Sequence, residues 1–343
     1  MNLRDEYDSV MSTLEEHLFL ICPLHHESLK GVSNNSALQC PACSIAFPYS
    51  RSSEGFEFTS FAALEVDEIL LNESLYDAKT LNERYQNFLN WLFATMRVQE
   101  ASFRKSIFDD LNITNNINVL ITSVGNGDDI INLVDMFPNI NLNIYAQDIS
   151  ATMCEFTMVR LRNLGIVIRE LNISNLASLP YKSNYFDVVF HFGGINWMSD
   201  KAGALAEMVR VCKDYGRIGI VDESVGAWLR KSDFGKAMIN NNSLWSAEVP
   251  LDILPTNVNN VRLEYVLENC FYFLSFIKDP QFPNVDLDVP HIGPRGGSIR
   301  KRYFGNLEGV DPGLADIVRN KARIEGISVV EWLEKCLRNG LNK

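Results

Sequence analysis

The chain has 343 residues, 46% of them hydrophobic and 22% charged, an ordinary globular composition with room for one large domain and a smaller module. Its formal net charge is -12, and an acidic surface repels phosphate backbones, which disfavours nucleic-acid binding outside a local basic patch. No apolar run approaches the roughly 20 residues of a membrane helix, and the opening Met1-Asn2-Leu3-Arg4-Asp5-Glu6 lacks a charged-then-apolar leader layout, so a cytoplasmic location is expected.

In chain order, residues 1–20 are predicted helical, with Val10, Leu14 and Leu18 spaced for one face. Residues 20–60 then change to Cys-Pro pairs and polar turns. Cys22-Pro23-Leu24-His25 and Cys40-Pro41-Ala42-Cys43 form two short knuckles, and tetrahedral zinc takes its four ligands in such pairs. Cys22, His25, Cys40 and Cys43 are therefore the expected ligands of a structural Zn2+, with His26 as an alternative to His25. An odd total of seven cysteines favours this over a disulfide framework; Cys154, Cys212, Cys270 and Cys336 are scattered and expected to be buried. Residues 62–111 return to helix, with Leu81, Tyr85, Phe88, Leu89 and Leu92 in the rhythm of a buried stripe.

From Ile117 short strands and helices alternate: Ile117–Val124, Leu142–Ala146, Phe186–Phe192 and Arg217–Val221 read as strands, and Ile130–Met136 as a helix. That alternation predicts an α/β fold with a parallel-rich sheet. The first strand runs into Ser123-Val124-Gly125-Asn126-Gly127, where glycines let the backbone approach a ligand closely. Asp148 closes the next strand, where such folds place a carboxylate to hold ribose hydroxyls. A dinucleotide site wants Gly or Ala at a third position that here is Ile130, preceded by Asp128 and Asp129. Two carboxylates would repel a pyrophosphate but tolerate the cationic sulfonium and ammonium of S-adenosylmethionine (SAM), which makes SAM the expected cofactor.

Residues 117–224 resemble the class I SAM-dependent methyltransferases, especially the ubiquinone/menaquinone C-methylase-like group. Leu179-Pro180-Tyr181, Tyr185-Phe186-Asp187-Val188-Val189, Ala206-Glu207-Met208-Val209-Arg210-Val211 with Tyr215-Gly216-Arg217, and Val221-Asp222-Glu223 carry the resemblance in order. It implies a Rossmann-like core in which Ser123, Gly125, Asn126 and Gly127 line the methionine part of SAM. Asp148 would hold the ribose, Ile149, Asn172 and Ile173 would flank the adenine, and His191, Phe192 and Gly193 would face the sulfonium and substrate. Asp187 would hold the sheet. The sequence departs from the family at Ser123 and Asn172, where an acid is usual, and near Asp129, where a third glycine is. The cysteine segment, with Phe47-Pro48 and Gly55-Phe56, resembles the zinc ribbons that precede some methyltransferases, including the bacterial rRNA guanine methyltransferases, and the ribbon of the small activator protein of tRNA methyltransferases.

His191 is the leading candidate for a catalytic base, since it would stand at the carboxyl end of the fourth strand. Asp222 and Glu223 are weaker candidates, and His291 falls in a region without pattern. Residues 226–310 are rich in Asn, Pro and aromatics; Trp228, Trp245, Phe271, Tyr272, Phe273 and Phe276 could cap the pocket or simply be core. The basic run Gly293–Arg302 could clamp an anionic substrate or be a solvated strand edge. Asp311-Pro312 starts a helix and Ser328–Glu331 has the spacing of a capping box. A strand followed by two helices over Arg300–Leu337 resembles a ribbon-helix-helix module, which implies DNA binding or a homodimer; packing as a helical hairpin is the simpler reading.

The expected organisation is an N-terminal helix and zinc ribbon (1–60), a helical cap (61–115), a SAM-binding core (116–225), and a substrate lid with C-terminal helices (226–343). The expected activity is methyl transfer to a small molecule at carbon, oxygen or nitrogen. Two other functions remain open: RNA methylation with the ribbon on RNA, and a non-enzymatic SAM-binding regulator.

Overall fold

The computed structural model describes residues 19–32, 37–51, 57–61, 81–292, 296–305, 307 and 310–341. Residues 1–18 of the helix expected over 1–20, all of residues 62–80, the Gly55-Phe56 pair and the start of the basic run at Gly293 lie outside the described residues. The chain divides into two compact units, residues 1–282 and 283–343.

The first unit is built on an 11-stranded sheet. Four short strands open it: β1 (Lys30–Gly31), β2 (Ala37–Gln39), β3 (Ala46–Arg51) and β4 (Glu57–Ser60). Then come β5 (Ile117–Thr122), β6 (Leu142–Asp148), β7 (Glu170–Ile173), β8 (Phe186–Phe192), β9 (Cys212–Glu223), β10 (Val258–Val266) and β11 (Phe271–Lys278). Their order across the sheet is β1-β2-β3-β4-β7-β6-β5-β8-β9-β11-β10. From β4 to β9 neighbours run parallel, and β11 and β10 close that side antiparallel. This is a mixed α/β sheet with a parallel-rich, Rossmann-like centre.

The centre is parallel because its strands are apolar on both faces. In β5, Val119, Leu120 and Ile121 are all fully buried, alternating between two core clusters. One face is covered by α1 (Leu81–Met96), α2 (Glu100–Asp110), α3 (Asp128–Met136) and α4 (Ala151–Asn163). The other is covered by α5 (Lys201–Val211) and the segment around Leu176–Tyr185. Helix α6 (Asp233–Asn241) follows β9. In α1 the expected stripe is real: Leu89 and Leu92 are buried, and Tyr85 and Phe88 pack against the same core. Asp187 pins the sheet, accepting from Asn118 N (2.8 Å) and pairing with Lys213 (2.8 Å).

Chain direction across the sheet reverses at β5, which has β6 on one side and β8 on the other. A crevice opens at the carboxyl ends of such strands, and ligands bind there in open α/β sheets. The loops after β5 and β8, each with two glycines, leave the sheet from neighbouring positions, Thr122 and its partner His191.

Beyond the ribbon, three strands escaped the sequence pattern, β7, β10 and β11. β7 is only four residues long, and β11, buried at every position but Ile277, lies inside a stretch rich in Asn, Pro and aromatics. Phe271, Tyr272, Phe273 and Phe276 are thus core, as is Trp245, whereas Trp228 is exposed.

In the second unit, α7 (Ile299–Phe304), α8 (Pro312–Ile324) and α9 (Val329–Leu341) are all helical. The strand expected from Arg300 is therefore corrected to a helix. Gly296 and Gly297 adopt left-handed φ and break the extended run, and Ser298 then caps α7 by accepting from Lys301 N. A ribbon-helix-helix arrangement loses its ribbon with that strand. The two predicted caps are present: Asp311 accepts from Leu314 N (3.1 Å), and Ser328 and Glu331 bond reciprocally (2.9 and 3.1 Å). Cys154, Cys212 and Cys270 are buried as expected, but Cys336 is exposed on α9.

Candidate functional site

The loop after β5 is a tight cradle. Ser123, Gly125 and Gly127 all have positive φ (50°, 55° and 87°). Gly127 has little room for a side chain, since a Cβ there would lie 3.1 Å from Thr157 Cγ2. The cradle is tied down from α4: Thr157 Oγ1 donates to Gly125 O (2.7 Å) and Arg160 Nη1 to Asn126 O (2.7 Å). Gly125 N donates 2.8 Å to Asp148 Oδ2, and Ser150 N donates 2.9 Å to Oδ1. Asp148 is buried at the end of β6, where burial raises its carboxyl above the usual range against the pull of these N–H groups. The predicted pair, glycine loop and downstream carboxylate, is therefore one hydrogen-bonded unit.

The argument from Asp128 and Asp129 needs correcting. Neither presents a free charge at the loop. Asp128 pairs with Arg160 (2.8 Å), and Asp129 pairs with the fully buried Arg104 of α2. Arg104 also bonds Glu100 (2.8 Å) and stacks over Phe192, 4.5 Å from the ring centre. Burial pushes Asp129 up to about 6 although Arg104 draws it down. Repulsion of a pyrophosphate thus cannot discriminate cofactors here.

Sequence reasoning marked residues 61–115 as a helical cap but not which of its side chains reach this loop. Tyr85 lies over the loop, its ring 3.7 Å from where a Gly125 Cβ would stand, and Gln86 accepts from Asn126 Nδ2 (3.2 Å). The one signal for Arg104 was a cation embedded among Phe103, Ile107 and Phe108.

At the other predicted positions, Ile149 is half-buried beside Asp148, and Ile173 is buried. The Asn172 side chain turns inward, donating to Tyr181 Oη (2.7 Å) and accepting from Ser174 Oγ (2.8 Å). Phe192 is buried and Gly193 has positive φ, with open space where a Cβ would be. His191 is fully buried; its Nδ1 lies 3.0 Å from Thr122 Oγ1, and burial lowers it to about 4. Downstream, Asp222 is fully buried and accepts from Asn196 N (3.0 Å), Asn196 Nδ2 (3.1 Å) and Glu223 N (2.7 Å).

The cysteine knuckles come together separately. The donor atoms of Cys22, His25, Cys40 and Cys43 all lie within 4.8 Å of one another. A tetrahedral zinc with bonds of about 2.0–2.3 Å spaces its ligands about 3.3–3.8 Å apart, so the set fits with small adjustments. His25, rather than His26, stands in this cluster. Both knuckles are closed by the same two bonds: His26 N to Cys22 O with Cys22 N to Glu27 O, and Ser44 N to Cys40 O with Cys40 N to Ile45 O. His26 and Ser44 occupy matching left-handed positions (φ 55° and 60°). The ribbon then joins the main sheet through β4, which pairs with β7 at Thr59–Asn172 and Ser60–Ile173.

Residues 123–220 match a family model described as a methyltransferase domain. The likeness to the class I SAM-dependent methyltransferases therefore holds over the cradle and the strands that follow it. Over 81 residues the chain is 37% identical to a ubiquinone/menaquinone biosynthesis C-methyltransferase from Burkholderia vietnamiensis, covering 24% of this chain and 33% of that protein. The chain thus spans about a third of the length of the curated relatives it matches. Among solved structures, a SAM-dependent methyltransferase described as putative, from Methanococcus maripaludis, is 21% identical, with a TM-score of 0.44 over 60% of this chain and 94% of that one. Phosphoethanolamine N-methyltransferase 2 of Haemonchus contortus is 13% identical, with a TM-score of 0.43 over 52% of each chain.

Proposed function

We propose that the chain is a SAM-dependent methyltransferase acting on a small molecule, with a structural zinc in its ribbon. The observation that carries the proposal is the bond from Gly125 N to Asp148 Oδ2 at the switch point of the sheet, within the segment that matches the methyltransferase family. SAM bound there would supply an activated methyl group on a cationic sulfur. Gly125 and Gly127 would admit its methionine end, with Ser123 and Asn126 beside it. Asp148 would accept from the ribose hydroxyls, and Ile149 and Ile173 would wall the adenine. Asn172 would position that wall from behind, because its side chain is committed inward. Tyr85 would cover the loop and help exclude water. His191 and Phe192 would line the reacting end, with Gly193 leaving room for the acceptor.

His191 fits the role of a neutral wall residue better than that of a base. Burial leaves its imidazole a weak proton acceptor, and wholly enclosed. Cys22, His25, Cys40 and Cys43 would hold zinc with no open position, which suits a structural site. Among the described residues, no helix is long and apolar enough to cross a membrane.

Calorimetry tests the reading. Wild-type protein is expected to bind SAM, and Asp148→Ala to lose at least about tenfold in affinity, the loss of a hydrogen-bonded charged acceptor. No binding to the pure protein, with no effect of the substitution, would sink it.

A further inference from the structure

A polar cluster lies inside the core at the carboxyl ends of β8 and β9 and the amino end of β11, its acid pair beyond Ile220 where the family match stops. β9 ends on Asp222, directly opposite Tyr272 of β11, and on Glu223, which leaves the strand on the other face beside Phe271 but whose carboxyl interacts with that of Asp222. His191 pairs with Ile220, so it shares a sheet face with Asp222, two residues further along β9. Asn196, in the turn after β8, binds both ends of the acid pair, its Nδ2 donating to Asp222 Oδ1 (3.1 Å) and to Glu223 O (2.8 Å). His191, Asp222 and Tyr272 are 0% exposed and Glu223 is 8% exposed.

Three atoms of this cluster have no hydrogen-bond partner: His191 Nε2, Glu223 Oε2 and Tyr272 Oη. Buried polar groups are rarely left so, and three together point to a ligand. The chemistry of that ligand follows from what the cluster offers. Thr122 Oγ1 donates its one hydrogen to Phe190 O (3.1 Å), so it accepts from His191 Nδ1–H. The other nitrogen, Nε2, then carries a lone pair. Glu223 Oε2 is also an acceptor. The charge acting on Asp222 is that of Glu223, and among the described residues no cation pairs with either carboxylate. Two adjacent buried carboxylates without a cation are strongly unfavourable unless a proton or a cationic ligand joins them.

We propose that this cluster anchors the methyl acceptor and selects an amine, held in its ammonium form by Glu223 and Asp222 with His191 Nε2 and Tyr272 Oη on its remaining N–H groups. The proposal rests on the SAM-dependent reading above. It sets the sign of the acceptor opposite to the anionic one suggested by the basic run, which belongs to the other compact unit. An ammonium has no lone pair, so one proton passes to Glu223 Oε2 before transfer. The amine then forms one N–C bond as one S–C bond breaks, and that bond's electron pair stays on sulfur. The proton leaves the carboxyl pair for solvent once the product has gone. Burial and the neighbouring charge raise the proton affinity of Asp222, which favours a proton shared within the pair.

The sulfonium of SAM is the other cation that could sit here, and the experiment separates the two. The full chain is loaded with S-adenosylhomocysteine, whose sulfur is uncharged. Ligand-observed NMR then compares three amines with their alcohol counterparts: phenethylamine with 2-phenylethanol, ethanolamine with ethylene glycol, and putrescine with 1,4-butanediol. At least one amine is expected to bind at millimolar concentration where its alcohol does not. Glu223→Gln should weaken that binding by about thirtyfold or more, as expected for removing one partner of a buried charge pair. Its ratio of SAM to S-adenosylhomocysteine affinity should stay as in wild type. Tyr272→Phe should weaken amine binding less and serves if Glu223→Gln does not fold. Equal binding of amines and alcohols, or no amine binding at all, overturns the proposal. So does a Glu223→Gln protein that loses SAM but keeps S-adenosylhomocysteine, which would assign the cluster to the sulfonium. If wild-type protein binds neither nucleoside, the underlying methyltransferase reading fails instead.

Discussion

His191 shows how one burial event sets both chemistry and stability. Burial lowers its imidazole to about 4 from an ordinary 6.5, so the folded protein keeps it neutral where the unfolded chain protonates it. A depressed folded value means the unfolded state binds the extra proton. Stability from this group is therefore complete above about pH 6.5 and is lost as pH falls towards 4. The loss is on the order of 3 kcal/mol, at 1.36 kcal/mol for each pKa unit. Urea titrations between these limits should show a steeper acid decline for wild type than for His191→Asn; parallel curves would count against a buried neutral imidazole. Arg104 makes a second residue-scale case. Among the described residues it is the cation paired with Asp129 within the core, so Arg104→Met strands a buried carboxylate. The expected cost is about 3–5 kcal/mol in chemical denaturation, the range for breaking a buried pair from one side. A double variant, Arg104→Met with Asp129→Asn, should recover much of it.

At the scale of elements, legibility followed hydrophobic continuity. β5, β6, β8 and the later part of β9 were readable because central parallel strands are apolar on both faces and end in loops with turn residues. The cradle was readable because Gly125, Gly127 and Asp148 are fixed by backbone geometry local to two adjacent strands. Tyr85 and Arg104 were not, because their helices reach the loop from far away in sequence and nothing in α1 or α2 names the partner. The electrostatic argument at Asp128 and Asp129 failed for the same reason, since Arg160 and Arg104 are distant in the chain. The ribbon was legible as a ligand set but not as a sheet extension: β4 is four residues long, and its pairing with β7 has no sequence signature. If the four ligands hold zinc, as proposed, that pairing ties the metal to the fold. Cys40→Ser is expected to reduce bound zinc from one per chain to none by elemental analysis. It should also lower the melting temperature, because a small ribbon without its metal cannot hold its own turns. Unchanged melting after complete metal removal would make the knuckles independent of zinc.

At the scale of the whole molecule, the two compact units differ sharply in the core each can build. The first buries two large clusters on either side of an 11-stranded sheet. Among the described residues of the second, the cluster of buried apolar residues is Val318, Ala322 and Val329, with Leu307, Trp332 and Leu333 packed against them. Leu314, Ile317, Ile324, Leu337 and Leu341 stay exposed on its helices. Burial rises with chain length, and a unit this small gains little from a single core, so the second unit should be the less stable of the two. The chain between Phe282 and His291 is almost entirely exposed, which makes it the preferred site of cleavage. Brief digestion with a protease of broad specificity should therefore leave a stable fragment ending near Phe282. That fragment contains the cradle, Asp148, the acid pair and the zinc ligands, so its SAM affinity should equal that of the full chain. Calorimetric melting of the intact protein should show a small early transition absent from the fragment, a departure from two-state behaviour. A single transition in the intact protein, with SAM binding lost as soon as residues 283–343 are removed, would show that the two units fold and function as one.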